Sequence, residues 1–194
     1  ILSTILGAEV VFPDGSTVRV SSEKPIARAV DRAGLDSRMA DAALSAGAEF
    51  SYGTRYISHS TSGRVLIVTS TGDVESSSIV GADGHSSKVA KSVPGSGPEE
   101  YLRGIQADVA VRMEHQDMFR VRLGSRYAPG FFTWEIPCGD FTRIGLCTSW
   151  SAGPPAPYLK RLLSDIGVEE RIIGMHSGKI PLGNGGNTVA DCTA

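Results

Sequence analysis

The 194 residues carry a formal charge of −2, with 21% charged and 41% hydrophobic side chains, the composition of a globular chain that can bury the core of one large or two small domains. There is no basic excess to favour a nucleic-acid partner, no run of about 18 apolar residues to span a bilayer, and no visible signal-peptide pattern. Cys138, Cys147 and Cys192 form no CxxC pair, and His59, His85, His115 and His176 lack HxxxH spacing, which disfavours a disulfide framework or a metal centre and fits a reducing cytoplasm.

Residues 1–21 alternate apolar and polar side chains around the turn signal Pro13-Asp14-Gly15 and predict a β-hairpin. From 33 to 46, Leu35, Met39, Ala42, Ala43 and Ala46 recur at helical spacing, and Gly47 supplies a natural stop. Strands are expected at about 49–58, 64–70 and 73–80, divided by Ser62-Gly63 and Thr71-Gly72. They make a small antiparallel meander whose last strand runs into Gly81-Ala82-Asp83-Gly84. A helix at 86–91, opened by Ser86 and Ser87, ends before Pro94, and Gly95-Ser96-Gly97-Pro98 reads as a linker. Strands at 104–112, 119–123, 130–136 and 142–149 then follow as consecutive antiparallel neighbours with one covered face. A helix at 158–166 carries Leu159, Leu162, Leu163 and Ile166 on one stripe.

The segment 79–89 carries the clearest chemical signal. Its glycines let backbone approach a ligand closely, and the first N–H groups of the helix attract anions, so the geometry suits a diphosphate. A second signal is the apolar cluster Phe131, Phe132, Trp134, Ile136 and Pro137 in a chain with only 7% aromatic residues. On a strand, Phe132, Trp134 and Ile136 share one face, with Phe131 and Thr133 on the other. Acid–base chemistry is not legible: Glu135 and Asp83 do not form a pair at readable spacing. Cys138 and Cys147 read as buried and inert, since no electropositive setting is apparent.

Residues 80–91, VGADGHSSKVAK, resemble the GADG…S motif of the flavoprotein group that includes aromatic hydroxylases, electron-transfer flavoprotein dehydrogenases and geranylgeranyl reductases. Arg32-Ala33-Gly34-Leu35-Asp36 with Met39, Ala40, Ala43 and Ala46-Gly47-Ala48 resembles that group's R..FD..L...A...GA helix. Phe132-Thr133-Trp134-Glu135-Ile136-Pro137 is similar to the YxWxFP motif of the geranylgeranyl reductases, with Phe132 in place of Tyr and Ile136 in place of Phe. Gly145-Leu146 stands where their next strand has vGLG, and Gly178-Lys179-Ile180-Pro181-Leu182-Gly183 resembles G.IPLG.

The resemblance implies an α+β chain: part of an α/β FAD-binding fold interleaved with an antiparallel substrate sheet covered by helices. It places a hairpin joining the substrate domain at 1–23, a partial FAD/NAD(P)-binding domain at 24–97, the substrate sheet at 98–180 and a return to the FAD domain at 181–194. The family's GxGxxG and GDAAG segments are not in these residues, so the expectation is an inner piece of a longer flavoprotein, inactive in isolation. FAD is the implied cofactor, held by Arg32, Gly81, Ala82, Asp83 and Gly84, with NAD(P)H or another reductant as electron donor. Phe132, Trp134, Ile136 and Pro137 are the implied contacts to an isoprenoid lipid whose C=C bonds are reduced, and peripheral membrane contact accompanies such a substrate. The rival expectations are a flavin monooxygenase, an electron-transfer flavoprotein dehydrogenase-like protein, and a non-catalytic lipid- or protein-binding module.

Overall fold

A computed structural model describes residues 1–92 and 100–183. The expected linker at 95–98 and Cys192 lie outside the described residues. The chain divides into two compact units, Ile1–Ala40 with Tyr101–Ile180, and Asp41–Glu100 with Pro181–Ala194.

The first unit is built on a seven-stranded sheet. Its strands are β2 (Gly7–Val11), β3 (Thr17–Ser21), β8 (Glu100–Val109), β9 (Met118–Leu123), β10 (Phe132–Cys138), β11 (Phe141–Ser149) and β12 (Ile172–Leu182), in the order β12-β8-β11-β10-β9-β2-β3. The hairpin β2–β3 turns at Pro13–Ser16, where Asp14 accepts from the backbone N–H and hydroxyl of Ser16. Strands β9, β10 and β11 form the expected antiparallel run. Two features differ from expectation. β8 pairs with β11 rather than with its sequence neighbour β9, and β2 lies parallel to β9, so the sheet is mixed. A parallel pair requires a long crossover, and over a hundred residues separate these two strands. β1 (Ser3–Ile5) and β4 (Ala27–Ala29) pair as a separate ribbon.

One face of this sheet is covered by α3 (Ala156–Asp165), which begins two residues before the predicted start because Pro155 and Pro157 preset the backbone at its first turn. Leu159, Leu162 and Leu163 are buried against Ile105, Ala107, Val109, Ile144 and Leu146, each leucine contributing about 1.5–3 kcal/mol of burial. The helix closes with Val168 N–H donating to Leu163 and Gly167 N–H to Ser164, Gly167 taking φ +73°.

Helix α1 (Arg32–Ser45) starts where Asp31 accepts from the Gly34 N–H, and Gly34 makes room for that cap: a Cβ there would sit 2.6 Å from the Asp31 carboxylate. It stops as predicted at Gly47, with Ala48 N–H donating to Ala43.

The second unit contains the predicted meander: β5 (Tyr56–Ser62), β6 (Arg64–Thr69) and β7 (Gly72–Ser76), antiparallel throughout. β5 begins later than expected because Tyr52-Gly53 make a turn, with Gly53 at φ +72°. β7 also ends early. Ile79 and Val80, predicted to deliver a strand into the GADG turn, pair with nothing in the sheet, and Val80 is 86% exposed. β-branched residues favour extended backbone, but a strand needs a ladder partner. Among the described residues no helix is long and apolar enough to cross a membrane.

Candidate functional site

In the second unit the GADG turn is held by its own side chains. Asp83 accepts from the Lys88 N–H at 2.7 Å and from the Ser87 hydroxyl, and Ser87 in turn accepts from the Ala90 N–H at 2.8 Å. Ser87 is thus the N-cap of the short helix α2 (Lys88–Lys91), shorter than the predicted 86–91. The hydrogen bond from Ser87 holds the Asp83 carboxyl below the ordinary carboxylate range. The helix N-terminus, expected to attract a ligand anion, is already engaged by this carboxylate. What stays open is backbone. Gly81, Ala82 and Gly84 are exposed, and their N–H groups donate to no backbone acceptor among the described residues. Each glycine has a steric reason: a Cβ on Gly81 would lie 2.7 Å from the Val89 Cβ, and Gly84 adopts φ +79°.

Arg32, in the first unit, is the first residue of α1 and is paired with Asp36 at 2.7 Å, one helical turn on, with its side chain 77% exposed. An exposed i,i+4 pair of this kind holds the side chain only loosely.

The aromatic segment lies on β10. Phe132, Trp134 and Ile136 share the face opposite α3, whereas Thr133, Glu135 and Pro137 are buried on the other. Phe131 departs from the predicted alternation: it precedes the strand and stacks on Phe132, with ring centroids 4.2 Å apart. The indole of Trp134 lies across Gly145 of the neighbouring strand. A Cβ at 145 would meet Trp134 Cε2 and Cζ2 at 2.5 Å and Gln106 Cβ at 2.7 Å. Trp134, Gly145 and Gln106 are successive register partners across β10, β11 and β8. The ring forms one wall of a cavity of about 160 Å³ whose other walls include Gly104, Gln106, His176 and Lys179. On the same face, Asp108 and Arg143 make a bidentate cross-strand pair at 2.8 and 2.9 Å beside Ile136.

The other face holds a group that the sequence reading missed. Glu9 and Glu135, 7% and 5% exposed, alternate with three arginines across β3, β2, β9 and β10. Arg19 donates to Glu9 at 2.7 Å, Arg120 bridges Glu9 and Glu135, and Arg122 donates to Glu135 at 2.8 Å. This row borders a cavity of about 250 Å³ with Val109, Ile144, Ile166 and Val168. Burial acts to raise the Glu9 pKa, but the hydrogen bonds and charges of Arg19 and Arg120 together hold it below the ordinary value. A depressed carboxylate stabilises the fold above the ordinary glutamate range and loses that contribution as pH falls through its folded value. Urea midpoints should therefore drop as the pH falls below about 4.3. Glu9→Gln should shrink that drop; an unchanged drop would assign it to other carboxylates.

Both thiols are buried, as read from the sequence, and burial pushes Cys147 up to about 11 and raises Cys138 as well.

No protein-family model matches the chain. It is 30% identical to a digeranylgeranylglycerophospholipid reductase of Methanothrix thermoacetophila over 98% of this chain and 53% of that protein. In structure it is similar to a geranylgeranyl bacteriochlorophyll reductase-like protein from Thermoplasma acidophilum, with a TM-score of 0.78 and 18% identity over 93% of this chain and 51% of the other. The flavin-dependent halogenase CmlS is similar at a TM-score of 0.70 and 17% identity, over 91% and 38%. The fold is therefore the one these two structures share. In sequence the chain is a relative of proteins named as geranylgeranyl-lipid reductases, as its motifs imply, and it spans about half the length of the curated relatives it matches.

Proposed function

We propose that the chain serves an FAD-dependent oxidoreductase that reduces C=C bonds of isoprenoid lipid chains. The observation that carries this reading is the Trp134 ring laid over Gly145 between Phe132 and Ile136 on the sheet face opposite α3, in a relative of reductases named for geranylgeranyl substrates. A hydrocarbon chain offers only dispersion and desolvation to a binding site, so a flat indole flanked by Phe132 and Ile136 suits it. Pro137, buried behind the strand, stiffens β10 from the core side.

The open N–H groups of Gly81, Ala82 and Gly84 fit an acceptor-rich diphosphate, with Asp83 holding the turn in shape and Arg32 as a cation for an anionic part of the cofactor. When bound, FAD supplies the hydride, loaded by NAD(P)H or another reductant; the chain's own residues hold, orient and keep water from the alkene. On this reading the protein is cytoplasmic and meets its lipid substrate through peripheral membrane contact. The same fold in a halogenase keeps a flavin monooxygenase as the second reading, and the Phe132–Pro137 motif favours the reductase.

The test combines two variants of the full-length protein. Gly81→Val, which drives side-chain atoms into Val89, should abolish flavin retention, read from the flavin absorbance of the purified protein. Trp134→Ala should lower turnover of long prenyl substrates by about tenfold or more while flavin reduction by the donor is unchanged. Full flavin content in the first variant would remove the diphosphate assignment, and equal loss of both half-reactions in the second would make Trp134 a packing residue.

A further inference from the structure

We propose that Arg103, Lys179 and Trp150 form a subsite for the phosphate group of a phosphorylated ligand. The Arg103 guanidinium carbon sits 3.9 Å from the Trp150 ring centroid, and the Lys179 ammonium, on the adjacent strand β12, sits 5.2 Å from the same centroid. Neither cation belongs to any ion pair among the described residues. The Nε of Arg103 is buried with no hydrogen-bond partner among the described residues. The arginines of this face on β3 and β9, Arg19, Arg120 and Arg122, are each answered by a carboxylate; here two like charges converge on one indole with none among the described residues.

Such an arrangement is unfavourable by itself. Like charges on neighbouring strands repel, and a buried guanidinium N–H without an acceptor costs about 1–3 kcal/mol. The indole face offsets part of this through its quadrupole. An anion with several acceptor oxygens answers both cations at once. A planar guanidinium fork beside a point-charge ammonium matches a phosphate, which accepts in more directions than a carboxylate. Trp150 is half exposed, which leaves an apolar surface for the carbon atoms next to such a phosphate.

Lys179 also lines the cavity walled by Trp134. Alternation along β8 and β12 turns the Arg103 and Lys179 side chains to the face opposite Trp134, so an isoprenoid chain on the aromatic face would reach the subsite only around the sheet edge that β12 forms. Assigning the phosphate to the head group of that lipid rests on the function proposed above; the anion subsite itself does not.

Calorimetric titration of the flavin-loaded full-length protein separates these two levels. The probes are inorganic diphosphate, geranyl diphosphate and geraniol, short enough to stay in solution. Geranyl diphosphate should bind about tenfold tighter than inorganic diphosphate, and geraniol far more weakly than either. Arg103→Gln and Lys179→Gln should each weaken both diphosphates by about tenfold, the loss of one charge-assisted hydrogen bond, and leave geraniol and flavin content unchanged. Equal affinity for the two diphosphates would keep the subsite and overturn its link to the lipid. Absence of diphosphate binding, or diphosphate affinity untouched by both variants, would overturn the subsite. Failure of the protein to reduce any prenyl alkene would overturn the functional reading and leave the titrations standing.

Discussion

Replacing Glu135 by alanine is expected to destabilise the protein by about 2–3 kcal/mol, a fall in melting temperature of about 5–10 °C. Glu135 is 5% exposed and accepts from both Arg120 and Arg122. Its loss leaves two guanidinium groups facing each other with only Glu9 between Arg120 and Arg19. Removal of one partner of a fully buried ion pair costs about 3–5 kcal/mol; the arginines here retain 22–29% exposure, so water recovers part of it. Glu135→Gln should cost less, because the amide oxygen still accepts one hydrogen bond. In a double-mutant cycle, Glu135→Ala with Arg122→Ala should be sub-additive by about 1 kcal/mol, since the second change relieves the unpaired charge left by the first. An alanine variant within about 0.5 kcal/mol of wild type would show that solvent screens the whole row.

The row matters for function through strand register. Side chains alternate strictly along β10, so a carboxylate locked to Arg120 and Arg122 on one face obliges Trp134 and Ile136 to occupy the other. A slip by one residue would bury Trp134 among the arginines and turn Glu135 toward the apolar cavity. The ion pairs thus act as a register lock for the aromatic face.

Much of the local structure was legible in the sequence because it depends on near neighbours. The β2–β3 hairpin follows from Asp14-Gly15, and the end of α1 from Gly47; its Asp31 cap was not read. The stripe of Leu159, Leu162 and Leu163 defines α3. What escaped depends on distant partners. Arg120 and Glu9 are 111 positions apart, and nothing local pairs them, although the charged–apolar alternation Arg120-Val121-Arg122 opposite Glu9 and Glu135 was a usable sign once the strand order is known. Ile79 and Val80 misled in the opposite sense: their propensity is for a strand, but no strand among the described residues pairs with them. Gly145 was visible as a glycine of a family motif, yet its reason emerges only from the register that sets it under Trp134.

That register makes Gly145 the most sensitive point of the aromatic site. On the function proposed above, Gly145→Val should displace the Trp134 ring and reduce prenyl turnover by about a hundredfold, comparable to a misplacement of roughly 1 Å at a reacting centre. The added Cβ alone would overlap two ring atoms at 2.5 Å and the Gln106 Cβ at 2.7 Å, and the ring is hemmed in by the strand that carries it. Gly145 is not at positive φ, so valine's backbone preference is compatible with β11 and the effect isolates the clash. Near-ultraviolet circular dichroism should change in the tryptophan bands while the far-ultraviolet spectrum and flavin content stay as in wild type. A paired Gly145→Ala, Trp134→Leu variant removes the overlap with the ring and leaves only that with the Gln106 Cβ, and it should not restore turnover of long chains, because the flat surface is gone. Recovery of turnover in that pair would show that the apolar character of the face suffices and that the indole is dispensable. Unchanged turnover in Gly145→Val would show that Trp134 can leave its place over the glycine without consequence, and so is no wall of the substrate site.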